Sequence, residues 1–301
     1  DWVHEILNVD GHYYGVPQMG QQQGLYYRPQ VIQDAGYDGP PETREELLEI
    51  AEAITDKGNG VYGYGFAVGD TFASYESFLS MLYMQDGKLV HDGKPNVQTP
   101  EAKKALQFLV DLIYKYEVAP QAAVELKEAE LGDMFVGGKI MMMCQWDYHF
   151  KRATNPDQSS IPADDVGFTV PPSWDANTDG KALADVGILS IQKFSDNIGA
   201  SKLFLDFMRS EQAHAVEFLV EGNNSLVLPV FDRASAKTQV DQQYLEAHAV
   251  LAKNSRKENY NHMPEIVDLM GAHVQAAVAQ EKSVEQALAD MQAGIDKAFS
   301  K

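Results

Sequence analysis

The sequence lacks several features that would indicate a function directly. It has one cysteine, Cys144, so no internal disulfide can form, and we interpret this cysteine as a small buried side chain because it lies in an apolar run. No apolar run approaches the roughly 20 residues that cross a bilayer. The N-terminus has no initiator Met, no basic segment and no secretory apolar region, so we expect a mature or truncated chain.

Basic residues are scarce. The 301 residues include 24 Lys and Arg against 44 Asp and Glu, which gives a formal net charge of -20. Such a charge repels phosphate backbones and anionic lipids, so we expect no nucleic-acid partner and no membrane-surface role. The apolar fraction of 45% is typical of a globular chain, and the length suits two average domains or one large one.

Motifs of known catalytic chemistry are also missing. The sequence contains no GxSxG, no Walker loop, no GxGxxG after a strand and no HExxH. Its eight histidines are scattered, and His248, His262 and His273 do not lie at ligand spacing on one helix face. We therefore predict no catalytic residue, no metal site and no cofactor. A glycoside-processing α/β enzyme is the alternative.

What the sequence does contain is a short apolar run that ends in aromatic and polar residues. Residues 137–150 read GGKIMMMCQWDYHF. A run of this length behind glycines is typical of a strand buried on both faces, and open α/β sheets bind ligands at the carboxyl ends of strands. We interpret the stretch as a core strand that delivers Trp146 to a ligand. In the alternative interpretation, Trp146 only packs.

Strand-like and helix-like segments alternate before helices dominate the last third, which is typical of α/β architecture with helical additions. Capping signals predict helices over residues 43–58 and 99–116, and the apolar pattern predicts one over 71–83. Residues 12–16 and 61–68 are predicted strands, the first stopped by Pro17. The polar segment MGQQQG at 19–24 is predicted as a connection whose glutamines either lie in a plain loop or face a ligand.

Five groups of segments resemble one family in its order. They are residues 10–18 (DGHYYGVPQ) with 24–55 (GLYYRPQ to EAIT), 99–116 (TPEAKKALQFLVDLIYKY), 135–148 (FVGGKIMMMCQWDY), 186–215 (VGILSIQKF to EQAHA), and 264–266 (PEI) with 282–296 (KSVEQALADMQAGID). On these segments the chain resembles, over nearly its whole length, the bacterial ABC-transporter extracellular solute-binding proteins of family 1, the maltose-binding and general sugar-binding group.

The resemblance implies a two-lobed, type II periplasmic-binding-protein-like α/β fold with hinge crossovers. Lobe 1 would be residues 1–24 and 184–228, without its opening βα units, and lobe 2 would be residues 25–183 and 229–301. The crossovers would be short connectors near 20–24, 183–187 and 226–230. The protein would be a periplasmic monomer, or extracellular and lipid-anchored. It would bind a carbohydrate between the lobes and present it to ABC permease subunits.

The resemblance also places the ligand-binding residues around the cleft between the lobes. Trp146 would stack on a sugar ring, polar side chains would take hydroxyls, and aromatic residues would form a second wall. The predicted set is Trp146, Gln21, Gln22, Asp185, Asp147, Asn224, Tyr75, Phe72, Gly187 and His262.

Several of these residues have non-functional alternatives. Gln22 would then face solvent, and Asp185 would cap a turn. The chain departs from the family pattern at Cys144-Gln145, where Asn-Gly is frequent, and at residues 184–187, so the ligand stays open. Residues 19–24 and 145–149 carry no Arg or Lys, which favours a neutral ligand over a glycerol-phosphate type; a polyol is the other alternative.

Overall fold

The computed structural model of the chain describes residues 7–9, 11–217, 224–225 and 239–300. In these ranges the strands are β1 (Asn8–Val9), β2 (His12–Tyr13), β3 (Val16–Tyr27), β4 (Val90–His91), β5 (Lys94–Pro95), β6 (Met142–Trp146), β7 (Gly167–Thr169), β8 (Ala182–Leu189), β9 (Asn224–Ser225) and β10 (Ser255–Arg256). The helices are α1 (Pro29–Asp34), α2 (Arg44–Ile54), α3 (Thr71–Tyr83), α4 (Pro100–Tyr114), α5 (Glu128–Val136), α6 (His149–Ala153), α7 (Ile198–Met208), α8 (Glu211–Val216), α9 (Gln239–Asn254), α10 (Met263–Val278) and α11 (Val284–Phe299).

Strand β3 is the axis of the main sheet. Its first half pairs with β8 and β9 and its second half with β6 and β7, all antiparallel, while β10 joins β8 in parallel. In this register Gln21 lies opposite Asp185, and Gln23 lies opposite Trp146. The prediction of a connection at residues 19–24 is therefore wrong, because the backbone of this polar segment pairs with β8 and β6.

Two further strand predictions differ from the structure. Pro17 does not stop a strand; it lies inside β3, next to a register shift between Pro17 and Met19, where a residue without an N–H donor is tolerated. Residues 61–68 form only isolated bridges to other segments. A Cβ on Gly63 would lie 2.2 Å from the Ala51 carbonyl oxygen, so this segment packs directly against helix α2 as irregular chain.

The helix starts predicted from capping signals are confirmed. The Thr43 hydroxyl accepts a hydrogen bond from the backbone amide of Glu46, and the Glu46 carboxylate accepts one from the backbone amide of Thr43. These two bonds form the expected capping box of α2. Helix α2 ends at Ile54, four residues before the predicted end, because the Thr55 hydroxyl donates to the Ala51 carbonyl and accepts from the Gly63 amide. Helix α4 begins at Pro100 behind the Thr99 cap.

The prediction of a strand buried on both faces is confirmed for β6. Successive side chains of β3 and β6 enter two different hydrophobic clusters, because side chains alternate along a strand. Leu25 and Met142 pack with helices α2, α3, α4, α10 and α11, whereas Tyr26 and Met143 pack with α5, α6 and α9. The sheet therefore has helices on both faces at this point.

The lobe boundaries predicted at residues 24/25 and 183/184 fall inside β3 and β8. The short connectors expected near 20–24 and 183–187 are therefore paired strand, and the third crossover, near 226–230, lies outside the described residues. Beside this region, α7 buries none of its side chains and exposes Leu203, Phe204 and Phe207. Among the helices that the structure describes, none combines the length and apolar character needed to cross a membrane.

Helices α3 and α10 approach each other closely at Gly271. A Cβ at this position would lie 1.9 Å from the Thr71 carbonyl oxygen, and the Thr71 hydroxyl also donates to Asp268, 3.0 Å away on α10. Glycine is required here because any side chain would push the start of α3 away from α10.

We expect Gly271→Ala to lower the free energy of unfolding by about 1–3 kcal/mol or more, since the new methyl group overpacks a backbone contact. Urea denaturation followed by circular dichroism measures this change. Gly199→Ala is the matched control, because Gly199 is also helical and its new Cβ meets nothing within 4 Å. That control should be neutral or stabilising by up to about 1 kcal/mol. Equal losses in both variants would contradict the packing argument.

Candidate functional site

A cavity of about 380 Å³ lies between helices α3 and α10 and the ends of strands β6 and β8. Its volume falls in the range of small-molecule sites, roughly 300–1,000 Å³. One face of α3 forms a wall, because residues 72, 75, 76, 79 and 83 follow helical spacing. Among the described residues the lining is formed by Phe72, Tyr75, Glu76, Leu79, Tyr83, Trp146, Leu183, Ala184, Asp185, Lys257, Glu258, Met263, Pro264, Val267 and Asp268.

Aromatic side chains give this cavity its shape. Trp146 closes the end of β6 with only 5% of its surface exposed, and Phe72 on α3 is 51% exposed. Tyr75, one turn after Phe72 on α3, is buried, and its hydroxyl lies 2.8 Å from the hydroxyl of Tyr260, which fixes the ring. The cavity thus offers buried aromatic rings and one accessible aromatic side chain.

Acidic side chains outnumber basic ones in the described lining of the cavity, where Lys257 is the one base against four acids. The Lys257 ammonium lies 3.0 Å from Asp185. Glu258 accepts hydrogen bonds from the amides of Leu89 and Val90, at 2.7 and 3.0 Å. These contacts hold Asp185 and Glu258 in place, and the surplus of carboxylates makes the cavity unfavourable for an anion.

Glu76 is the most deeply buried of these carboxylates, with 5% of its surface exposed. It accepts a hydrogen bond from the indole N–H of Trp146 at 3.2 Å. Burial, followed by repulsion from Glu128, raises the pKa of Glu76 to about 8, although the bond from Trp146 opposes the shift. Glu76 is therefore mostly uncharged at neutral pH.

The structure brings part of the predicted ligand-binding set to this cavity. Trp146, Asp185, Tyr75 and Phe72 line it. Gln21, Gln22, Asp147, Gly187 and His262 are not among its described lining residues, and Asn224 belongs to β9 but its side chain lies outside the description.

Four predicted residues lie near the cavity without lining it. Gln21 points to the same sheet face as Asp185, because the two are opposite each other in the β3–β8 pair. Gln22 is buried, which excludes the alternative that it faces solvent. Gly187 packs against Met19, since a Cβ added to Gly187 would lie 2.8 Å from the Cγ of Met19. His262 is the exposed residue before α10, with its ring 5.4 Å from that of Phe299.

Asp147, the turn residue after β6, lies on the opposite side of the sheet from Trp146, because it contacts His248, whose ring packs on Phe168 of the second hydrophobic cluster. It is fully buried, and its carboxyl accepts a hydrogen bond from the backbone amide of Gln22 at 3.2 Å. Burial holds the pKa of Asp147 well above its usual value and lowers the pKa of His248, 3.8 Å away, to about 3. The two groups therefore meet as neutral partners, and Asp147 does not face the cavity.

Sequence reasoning missed several lining residues. Glu76, Leu79 and Tyr83 follow Phe72 and Tyr75 on one helix face, so helical spacing was a usable signal for them. Lys257 and Glu258 follow the two-residue strand β10, and no sequence motif marks them.

Metal and thiol chemistry find no support in the described part of the chain. There, no group of three or more His, Cys, Asp or Glu side chains is placed to hold a metal ion. Burial raises the pKa of the Cys144 thiol to about 11, so the thiol stays protonated at neutral pH. The residue as a whole is half-buried and packs against the main hydrophobic cluster, where the sequence predicted a buried side chain.

Comparisons with known proteins place this geometry in a wider group. A family model described as bacterial extracellular solute-binding protein matches residues 1–215. A putative ABC transporter periplasmic-binding protein of Escherichia coli is 26% identical over 217 residues, which is 72% of this chain and 47% of that protein. A maltotriose-binding protein of Pyrococcus abyssi is 25% identical over 47% of this chain and 28% of its own length. The chain spans about half the length of these curated relatives, or less.

Solved structures give a more extensive match. Maltose-bound MalE3 of T. maritima has a TM-score of 0.86 and 26% identity, and the match covers 97% of this chain and 74% of that one. A solute-binding protein of Agrobacterium radiobacter K84 in complex with ribitol also has a TM-score of 0.86, with 24% identity. That match covers 98% of this chain and 74% of the other. The second likeness, at that identity, shows the fold alone.

The raised pKa of Glu76 predicts a pH-dependent stability difference between the wild type and Glu76→Gln. A carboxyl pKa near 8 in the folded state, against 4.5 as its ordinary value, gives stability that is present below pH 4.5 and is lost as the pH rises towards 8. Between pH 5 and pH 8 the free energy of unfolding of the wild type should therefore fall by roughly 3 kcal/mol more than that of Glu76→Gln. Urea denaturation at both pH values measures it.

Glu52→Gln is the matched control, because Glu52 is an exposed carboxylate on α2. It should follow the wild type at both pH values. A wild type and Glu76→Gln that change in parallel would show that Glu76 is not an uncharged acid in the folded protein.

Proposed function

This chain belongs to the bacterial extracellular solute-binding protein family, and from that premise we propose that it is the ligand-binding component of an ABC importer for a carbohydrate. The family and the two-lobed fold class expected from the motifs are both confirmed. The proposed ligand is a neutral mono- or oligosaccharide bound in the cavity between α3, α10, β6 and β8. The proposed partners are the membrane subunits of a permease, with the protein acting as a periplasmic or anchored extracellular monomer.

The observation that carries this proposal is the pairing of aromatic walls with hydrogen-bonding groups in one cavity. Trp146 and Phe72 offer ring faces for the C–H surfaces of a sugar. Glu76 and Asp185 offer oxygens, and Lys257 offers N–H donors, for its hydroxyls. Maltose in the T. maritima relative and maltotriose in the name of the P. abyssi relative support the same ligand class.

The charge of the cavity supports a neutral ligand over a phosphorylated one. Sequence reasoning found no cation in the predicted binding segments, and Lys257 is a cation that it missed. Its ammonium is paired with Asp185, at 3.0 Å, and two further acids of the lining, Glu258 and Asp268, have no such cation beside them in the described lining. A phosphate group would meet this excess of negative charge, which disfavours a glycerol-phosphate type of ligand. A neutral polyol offers the same hydroxyls without the ring, so the ligand panel below includes polyols.

We propose binding without turnover. Sugar hydrolysis requires a carboxylic acid and a second carboxylate placed on either side of the bond that breaks. The other three acids of the lining each have a partner that holds them in place. Asp185 pairs with Lys257, Glu258 accepts two backbone amides, and Asp268 accepts the Thr71 hydroxyl, an arrangement that suits the positioning of a ligand. The ligand would instead close the two lobes, and the closed form would be what the permease recognises.

A ligand panel tests the proposal. Thermal unfolding is measured with maltose, maltotriose, an arabinooligosaccharide, ribitol, mannitol and glycerol 3-phosphate, and each mixture is then analysed by chromatography for products. Ligands that bind the native state raise the melting temperature by mass action. The proposal expects a rise with at least one neutral saccharide and no product. A rise with glycerol 3-phosphate alone, or the appearance of product, would overturn it.

Phe72→Ala should weaken binding of the stabilising saccharide roughly tenfold, because the exposed ring is lost from the wall. Isothermal titration calorimetry measures the dissociation constant. Phe194→Ala is the matched control, since Phe194 is 88% exposed and lies away from the cavity lining. Both exposed positions should leave the unfolding free energy nearly unchanged. Equal affinities for the two variants would show that Phe72 does not contact the ligand.

Trp146→Ala, the substitution that the sequence would favour as a test, is less suitable. Trp146 belongs to the main hydrophobic cluster, and a Trp→Ala change in a core typically lowers the free energy of unfolding by about 3–5 kcal/mol. A loss of binding in that variant would not separate a missing contact from a damaged fold.

A further inference from the structure

Glu76 stands between the main cavity and a second, much smaller one. The small cavity has a volume of about 20 Å³, enough for a single water molecule, and Gln23, Ser80, Glu128 and Gln145 are among its lining residues. Glu76 lines both cavities. It is therefore the side chain that the two cavities share.

The two oxygens of Glu76 have different surroundings. Oε2 accepts the hydrogen bond from the Trp146 indole at 3.2 Å. Among the described residues, no donor or acceptor bonds the other oxygen. This second oxygen is not one of the fully buried polar atoms that lack a partner, so it remains open to water or to a ligand in the cavity.

We propose that Glu76 is a specificity-determining residue of the ligand cavity: one oxygen fixes the ring of Trp146, and the other bonds a hydroxyl of an uncharged ligand. This inference rests on the proposed function, since it needs a ligand in the same cavity. Glu76 is a side chain that the family resemblance did not indicate, and the hydrogen bond to Trp146 is what connects it to the aromatic wall.

Burial, together with the charged groups around it, keeps Glu76 an uncharged acid. Glu128 on α5 accepts hydrogen bonds from Tyr148 and His149; burial opposes the effect, but these bonds lower the pKa of Glu128, so it stays ionised and repels a charge on Glu76. Asp185 on β8 also repels it, and Lys257 is the cation that favours its charge. The other titratable groups lining the two cavities are Tyr64, Tyr75, Tyr83, Cys144, Glu258 and Asp268.

Ligand binding should therefore be linked to protonation of Glu76. An uncharged ligand covers the carboxyl and removes its remaining contact with water, which favours the uncharged form further. Affinity for such a ligand should fall as the pH rises through about 8, the pKa of Glu76 in the free protein. A ligand with an ammonium group would show the opposite trend, because it would favour the carboxylate.

The first arm of the test needs no ligand. In protein labelled with ¹⁵N at its three tryptophans, the indole resonance of Trp146, assigned with Trp146→Phe, is followed from pH 5 to pH 9.5. The proposal expects this resonance to titrate with a midpoint near 8 in the wild type and to stay constant in Glu76→Gln. A resonance that is insensitive to pH in the wild type, or that titrates equally in the variant, overturns it.

The second arm uses the neutral saccharide that stabilises the protein most strongly. Its dissociation constant is measured by calorimetry at pH 6 and pH 9 for the wild type, Glu76→Gln and the control Glu52→Gln. The wild type and the control should lose about tenfold in affinity at pH 9, because only about a tenth of Glu76 then carries its proton. Glu76→Gln should bind equally at both pH values. An affinity that rises with pH, or a tenfold loss retained in Glu76→Gln, overturns the proposal.

The two arms separate this inference from the proposed function. If no saccharide or polyol binds, the proposed function fails. The part of the inference in which Glu76 bonds a ligand hydroxyl fails with it. The titration of the Trp146 resonance then still shows whether Glu76 holds the ring. If a saccharide binds with the same pH profile in all three proteins, the proposed function stands and the role of Glu76 is refuted.

Discussion

The pairing of strand β3 along both of its edges is the constraint on which the cavity depends. Its first half is hydrogen-bonded to β8 and β9, and its second half to β6 and β7. Because the register is set residue by residue, Asp185 lies opposite Gln21 and Trp146 lies opposite Gln23. A shift of one residue would turn both lining side chains to the other face of the sheet. The wall of the cavity is thus positioned by the backbone hydrogen bonds that join β6 and β8 to β3.

The helices complete the cavity through close packing at defined points. Helix α3 supplies one face of the lining, and α10 reaches it because Gly271 lets the two backbones approach. The hydrogen bond between Thr71 and Asp268 and the contact between Tyr75 and Tyr260 tie the same walls together. The cavity is therefore largely formed before a ligand arrives, which reduces the ordering that binding requires.

The parts predicted from sequence were those that short-range chemistry determines. The Thr43 and Thr99 caps fix where two helices begin, and the apolar run at β6 identifies a strand with packing on both faces. The polar residues 19–24 were missed as strand because their pairing partners, β6 and β8, are more than a hundred residues away in sequence. Lys257 reaches the cavity for the same reason: long-range pairing of β10 with β8 places it beside Asp185.

Trp146 is held from both sides of the sheet by acids that burial keeps uncharged. On the far side, Asp147 accepts the Gln22 amide, and the Tyr26 hydroxyl donates to the carbonyl oxygens of Trp146 and Asp147, which fixes the backbone. On the near side, Glu76 holds the indole. A raised carboxyl pKa means that the folded protein takes up protons, so both acids make the fold less stable as the pH rises. The same proton uptake fits an uncharged ligand, because a protonated Glu76 beside an uncharged ligand leaves no buried charge at that point of the cavity.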